Sequence, residues 1–367
     1  MSKSNSTGKV GLNGHKHEQG PVLITGGSGF IGANLAHRLL SGHQPVVLFD
    51  NLSREGVEKN YQWLYGTHGA LVKLQIADIR DLQALHSAVR GASAVFHFAA
   101  QVAVTTSLAG PALDFAVNAN GTLNVLEALR GLDNRPPLVF TSTNKVYGNL
   151  RDVGLRMNGG RYEPVDGARR VRGIGENQRL DFYSPYGCSK GAADQYVLDY
   201  ARTFGLPAVV FRLSCIYGPH QFGTEDQGWV AHFLLRAMEG LPITLYGDGR
   251  QVRDILYVED LVEALLLARR HCRVLSGTAF NIGGGAANTT SLLELMEVIG
   301  ALEGKSLHVR WAEWRPGDQR YYVSDFTRFQ EATGWGPAVS VADGVQQLHR
   351  WLRAARGSVP AVFANMS

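Results

Sequence analysis

Gly26-Gly27-Ser28-Gly29-Phe30-Ile31-Gly32 decides the reading of this 367-residue chain, because its glycines fall three apart between two dissimilar segments. Before them lies a short apolar run with β-branched residues, 21–25; after them, 31–40 repeats apolar side chains at helical spacing. In a strand–turn–helix each glycine has a separate task. Gly26 permits the tight turn, Gly29 lets backbone N–H groups approach a pyrophosphate, and Gly32 lets the helix pack on the strand. Asp50 closes the next apolar run. A carboxylate there accepts hydrogen bonds from both ribose hydroxyls of NAD and repels the 2′-phosphate of NADP. Arg54, close behind, pulls the other way, so the expectation is a dinucleotide site that prefers NAD.

Working outward, further apolar runs lie at 45–49, 72–76, 94–98, 137–141, 208–213 and 279–282, with helical patterns at 82–89 and 121–129 between them. Continuous apolar strands separated by helices imply a parallel sheet covered on both faces. The expected fold class is α/β, a Rossmann doubly wound parallel sheet with a smaller C-terminal substrate-binding domain. The expected division is a disordered tail at 1–20, a nucleotide-binding domain from 21–213 plus 250–284, a substrate-binding domain from 214–249 plus 285–356, and a tail at 357–367. The polar stretch 149–178, rich in Arg and Gly and without periodicity, is expected to be a long surface loop.

Composition excludes several classes. With 45% hydrophobic and 19% charged residues the chain is an ordinary globular protein. Its apolar stretches are too short to span a bilayer, and its start lacks a signal-peptide layout. Cys188, Cys215 and Cys272 are odd in number and far apart, which argues for a reducing, cytoplasmic setting. No Cys or His cluster has metal-ligand spacing; His15 and His17 fall in the expected tail, so no metal is expected. A net charge of +4 suits an anionic substrate, but the basic residues are scattered and carry no aromatic stacking motif, so neither nucleic acid nor membrane is an expected partner.

Tyr186-Gly187-Cys188-Ser189-Lys190 sets a phenol and an ammonium four residues apart, on one face of a helix. A free tyrosine has a pKa near ~10, too high for a base at neutral pH. Lowering it by roughly three units takes about 4 kcal/mol, within reach of two close cations, Lys190 and a nicotinamide ring. Such a spacing is common by accident; after a dinucleotide fingerprint it reads as a catalytic pair. A hydroxyl to hold the substrate oxygen is needed near the end of the fifth apolar run, where Thr141, Ser142 and Thr143 stand.

Taken in order, these segments resemble the extended short-chain dehydrogenase/reductases, the NAD-dependent epimerase/dehydratase family. Ala77-Asp78-Ile79, Phe98-Ala99-Ala100-Gln101 and Asn118-x-x-Gly121-Thr122 fall where that family places cofactor contacts. The resemblance implies a cofactor set of Gly26, Gly29, Phe30, Ile31, Asp50, Asn51, Asp78, Ile79, Ala99, Ala100, Gln101, Asn118, Thr141, Tyr186 and Lys190. It implies a catalytic set of Thr143, Tyr186 and Lys190; the Val146-Tyr147-Gly148 that follows picks Thr143, with Ser142 as the alternative. The family's sugar-nucleotide dehydratases carry Asp-Glu after that Thr. Asn144 and Lys145 stand here instead, an amide and an ammonium that cannot serve as the acid and base of water elimination, which leaves epimerisation.

The runs 142–148, 180–195 and 226–230 look most like the CDP-paratose 2-epimerase branch, whereas 151–175 departs from it. What this implies is an NAD-dependent nucleoside-diphosphate-sugar epimerase of the CDP-sugar 2-epimerase type. Tyr186 takes the proton of the carbon-2 hydroxyl, hydride passes to NAD⁺, and the transient keto-sugar is reduced on its other face while NADH stays bound. The implied substrate contacts are Thr143, Asn144, Lys145, Gln221, Trp229, Arg253, Arg315 and Asp318, with Arg253 and Arg315 suited to a diphosphate. A homodimer or homotetramer formed through the Tyr-x-x-x-Lys helix is implied as well. The rivals are a carbon-4 epimerase of a UDP- or GDP-sugar, a net dehydrogenase, and a catalytically silent NAD-binding sensor or scaffold.

Overall fold

The computed structural model of the chain describes residues 20–357; apart from Gly20 and Gly357, the expected tails, with His15 and His17, lie outside the described residues. Seven apolar segments form one parallel sheet. From edge to edge they are Thr278–Ile282, Ala208–Leu213, Leu138–Thr143, Ala94–His97, Val22–Thr25, Val46–Asp50 and Val72–Ile76. The central strands are buried at every position, which is why they read as unbroken apolar runs rather than alternating ones. All seven expected strands are present. The fifth runs on beyond the expected 141, so that Thr143 ends it.

The chain leaves Val22–Thr25 for a neighbour on one side and later returns to place Ala94–His97 on the other. This reversal of strand order opens a crevice at the carboxyl ends of the two central strands. The helix Phe30–Ser41 starts at that crevice and packs Leu35, Ala36 and Leu39 into the core. Gly32 makes the close approach possible: a Cβ there would stand 2.5 Å from the Gly26 carbonyl oxygen.

A second apolar core gathers Trp229–Glu239, Leu292–Glu303 and Val341–Gly357 around the strands Ile243–Tyr246 and Val252–Tyr257. Val252–Tyr257 lies outside the seven-stranded sheet; it pairs antiparallel with Thr289–Ser291 and parallel with Cys215–Tyr217 and Tyr321–Tyr322.

The expectation of a loop over 149–178 is corrected. Leu155–Asn158 and Arg161–Pro164 form an antiparallel hairpin that turns at Gly159, φ 57°, and Gly167–Arg172 is a short helix. Asp166 caps that helix by accepting from Ala168 N and Arg169 N. Four-residue strands with largely polar exposed faces give no readable period, which is why the hairpin escaped the sequence reading. Among the described residues no helix is long and apolar enough to cross a membrane.

Candidate active site

The crevice widens into a cleft of about 820 Å³ that runs from the glycine-rich turn to the start of Trp229–Glu239. At one end the first turn of Phe30–Ser41 supplies backbone N–H groups with no side-chain cap, and Gly26, Gly29, Phe30 and Ile31 line the wall. Gly26 has φ 68°, and a Cβ on it would stand 2.7 Å from Ala99 N, so the backbone itself forms the floor. These features fit a pyrophosphate.

Asp50, Asn51, Asp78 and Ile79 line the same end. Asp50 accepts from Ser28 N at 3.0 Å and Leu52 N at 2.9 Å. Burial raises its pKa, and the two backbone donors and Arg54 oppose the rise. Asn51 donates to Asp78 at 2.9 Å; Arg80 grips Asp78 with two further bonds and holds its carboxyl well below the usual range. Ala99, Ala100 and Gln101 continue the wall. Asn118 stands behind it, accepting from Gln101 N at 2.9 Å and donating to Gln101 O at 3.0 Å. It fixes that strand end rather than lining the cleft.

Mid-cleft, the strand end Leu138–Thr143 presents Thr141, Ser142 and Thr143 to Tyr186 and Lys190 on the helix Ser184–Phe204. Tyr186 is 8% exposed and Lys190 3%. The Lys190 ammonium donates to Thr141 O at 2.7 Å and lies 4.3 Å from the centre of the Phe140 ring. Burial pushes Lys190 down to about 7 against the attraction of Asp194 and Asp114. Burial also pushes Tyr186 up to about 12, with a hydrogen bond to Thr143 working the other way. The expected lowering of the phenol by the neighbouring ammonium is therefore not what the protein groups do by themselves: desolvation dominates both members of the pair.

Thr143 also accepts from Lys145 N at 3.2 Å, capping the turn Asn144–Tyr147. Asn144 is buried beside it, with Oδ1 3.4 Å from the Thr143 hydroxyl. Lys145 turns away, donating to Gly317 O at 3.2 Å with Asp318 at 4.0 Å, and burial lowers its pKa.

At the far end Gln221 and Trp229 line the cleft. Thr143 lines it mid-way, whereas Asn144, Lys145, Arg253, Arg315 and Asp318, also expected to meet substrate, lie outside its wall. Arg253 binds Asp318 at 2.6 Å and the carbonyls of Val252 and Gln319. Arg315 pairs with Asp226 at 3.3 Å and lies 3.8 Å over the Tyr246 ring. The structure thus gathers Lys145, Arg253 and Asp318 into one charged cluster and places Arg315 in another. His220 sits outside the cleft, stacked on Trp63.

Sequence reasoning missed Asp114 and Ser189. Their side chains bond one another and Asn118, locking the Tyr186 helix to the preceding helices, and Ser107 accepts from Tyr186 N at 3.2 Å. The i, i+4 spacing of Asp114 and Asn118 was the available signal. Phe222 and Cys215, which also line the cleft, carried none. Among the described residues no group of three or more His, Cys, Asp or Glu side chains could hold a metal ion.

The profile of the NAD dependent epimerase/dehydratase family matches residues 22–283. A CDP-paratose 2-epimerase from Salmonella typhi is 44% identical over 336 residues, spanning 90% of this chain and 98% of that protein. Among solved structures, the UDP-glucose 4-epimerase of Thermus thermophilus in complex with NAD superposes with a TM-score of 0.74 at 33% identity, covering 91% of this chain and 99% of that one. The UDP-glucose 4-epimerase of Thermotoga maritima with UDP-glucose gives 0.76 at 29% identity, with the same coverage, 91% and 99%.

Proposed function

The chain belongs to the NAD dependent epimerase/dehydratase family, and on that premise we propose that it inverts carbon-2 of a CDP-sugar. It is an NAD-dependent sugar-nucleotide epimerase; the carbon and the base are what the proposal adds. The observation that carries it is one cleft joining the glycine-rich turn and Asp50 to Thr143, Tyr186 and Lys190. The choice of carbon-2 and CDP is supported by the 44% identity to a CDP-paratose 2-epimerase over nearly the whole of both chains.

Bound NAD supplies an acceptor, and then a donor, of hydride. Gly26, Gly29 and the turn they begin would hold its pyrophosphate, Asp50 its ribose hydroxyls, and Lys190 the ribose nearer the reacting carbon. Thr143 would bond the oxygen on carbon-2. Tyr186 takes the proton from that oxygen as the carbon becomes a ketone, and returns it once the sugar has turned over and its other face is reduced. A phenol pushed up to about 12 is a reluctant base, so this site needs a positive charge brought next to Tyr186, which the nicotinamide ring carries. Water elimination has no support here: Lys145 is engaged by Gly317 and Asp318, and the Asn144 amide neither gives up nor takes a proton near neutral pH.

The same reading makes 21–213 plus 250–284 the NAD-binding domain and 214–249 plus 285–356 the substrate-binding domain; the second apolar core, built largely from the latter, supports it. Arg253 and Arg315 would reach the diphosphate by leaving Asp318 and Asp226. Exposed Leu108 and Phe115 beside the Tyr186 helix, and Tyr196 on it, support a homodimer or homotetramer, and three free cysteines support a cytoplasmic location.

The test is to incubate the purified chain with CDP-, UDP- and GDP-sugars, with and without added NAD⁺, following the carbon-2 and carbon-4 protons by NMR and reduced nicotinamide by absorbance. Inversion at carbon-2 of a CDP-sugar with flat absorbance is the expected result. Inversion at carbon-4 replaces the proposal with its nearest rival, and a steady rise in absorbance with a dehydrogenase.

A further inference from the structure

The loop after Tyr217 crosses from the second core to the first helices of the sheet and is fastened there by two amides. Asn34 donates to Pro219 O at 3.0 Å. Asn60, 1% exposed, donates to Ser28 O at 3.0 Å and to His220 O at 3.3 Å. Ser28 lies inside the glycine-rich turn, and its own N–H donates to Asp50 at 3.0 Å. The ribose-side carboxylate, the phosphate-side turn and residues 219–220 therefore form one continuous hydrogen-bonded chain.

His220 has φ 64°, a left-handed conformation that is strained for a non-glycine residue. Its ring lies flat on Trp63, 3.6 Å between centres and 20° between planes, with Trp351 at 5.0 Å. The strained backbone is thus over-determined by packing on both sides, the condition under which such strain persists. Just beyond, Gln221 and Phe222 line the cleft, in company with Ser53 and Arg54. The Phe222 ring lies 3.2 Å from where a Cβ on Gly56 would fall, close against the start of Val57–His68.

We propose that Asn34 and Asn60 are positioning residues for cofactor retention: they tie residues 219–222 to the glycine-rich turn, hold Phe222 over the dinucleotide end of the cleft, and so set how slowly NAD leaves. The proposal rests on the reading above, in which one NAD serves every turnover. A cofactor that is reoxidised in place gains nothing from a wide exit, and a cover fastened to the turn beneath it makes departure wait on local opening.

The full chain is purified without added NAD as wild type, Asn34→Ala/Asn60→Ala, Asn60→Leu and Phe222→Ala. Retained NAD is measured by mass spectrometry after heat release, and its exchange is followed with isotopically labelled NAD. The double variant and Phe222→Ala release NAD at least tenfold faster than wild type. Asn60→Leu, which keeps the branched shape and loses the donors, also releases NAD faster. Phe222→Ala leaves every bond of the clasp in place, so it reports on the cover even where the asparagine variants fold poorly. Slow release by wild type with release within twofold of it in the double variant and in Phe222→Ala overturns the clasp alone. A wild type that exchanges its NAD freely overturns the closed cycle and the clasp together.

Discussion

Lys190 donates its ammonium to the carbonyl oxygen of Thr141 at 2.7 Å, two residues before the Thr143 hydroxyl on the same strand. The bond registers the helix of Tyr186 against the strand that carries Thr143, and it is made at the bottom of a buried site. That burial has a measurable consequence. Lys190 is held at about 7, whereas an unfolded lysine titrates near ~10.4. Between those values the unfolded chain binds more protons than the folded one, so stability rises with pH across the window and is lost as pH falls toward 7. Tyr186, pushed up to about 12 from near ~10, does the reverse: its contribution is intact below the lower value and lost above it. Urea unfolding of the nucleotide-free chain will therefore show wild type gaining on Lys190→Met as pH rises from about 7 to about 10. A flat difference would mean that the ammonium bears no cost of burial.

The chemistry of the three mid-cleft groups separates by substitution. Tyr186→Phe removes the proton acceptor and keeps the ring, so kcat falls by about 10²–10⁴ with bound NAD retained. Thr143→Val loses one hydrogen bond to an oxygen that becomes charged, worth about 1.5–3 kcal/mol, or roughly 10- to 100-fold in kcat. It also removes the cap on Lys145 N and costs about 1 kcal/mol in unfolding. Thr143→Ser restores both. Ser142→Ala is the control: a loss in kcat as large as that of Thr143→Val would reassign the substrate hydroxyl to the neighbouring residue.

What could be read before the fold was known follows from how far apart the interacting groups lie in the chain. Gly26, Gly29, Gly32 and Asp50 act through local backbone geometry, and Tyr186 and Lys190 share one helix face, so spacing carries their meaning. The partners of Arg253 and Arg315 are Asp318, Glu225 and Asp226, brought in from distant segments. No local pattern says whether such a guanidinium meets a carboxylate or a phosphate. Asn60 shows the same limit from the other side. It reads as one polar residue in a surface helix, and only the arrival of His220, 160 residues later, gives its amide a second acceptor.

On the proposed reading, selectivity for NAD rests on Asp50, whose half-buried carboxylate stands beside Arg54. Asp50→Ser removes the negative charge that repels a 2′-phosphate and leaves Arg54 free to attract one. The ratio of NADP to NAD dissociation constants, measured by calorimetry, falls at least tenfold, a shift of about 1.4 kcal/mol. Because Asp50 also accepts from Ser28 N and Leu52 N, affinity for NAD itself falls as well. A ratio that does not move would place the discrimination elsewhere in the cleft.

Arg212 and Asp194 decide how firmly the Tyr186 helix is held to the sheet. The guanidinium of Arg212, on Ala208–Leu213, donates to both oxygens of Asp194 at 2.9 Å, and the two side chains are 5% and 1% exposed. Its third nitrogen reaches Tyr147 Oη at 3.1 Å, and Tyr147 donates to Asn281 at 2.7 Å, so one network spans the helix, two strands and the turn after Thr143. Arg212→Met leaves a buried carboxylate unpaired and costs about 3–5 kcal/mol in urea unfolding. Adding Asp194→Leu removes that orphan charge and recovers most of the loss, since an apolar pair of similar volume is close to neutral in such a place. Activity does not follow stability back. In the double variant the helix has lost its lateral fix, and a displacement of order 1 Å between Tyr186 and Thr143 lowers kcat by about 10²-fold. A double variant that recovers both stability and kcat would show that the remaining ties, the Lys190–Thr141 bond and those of Ser107, Asp114 and Ser189, set the helix in register.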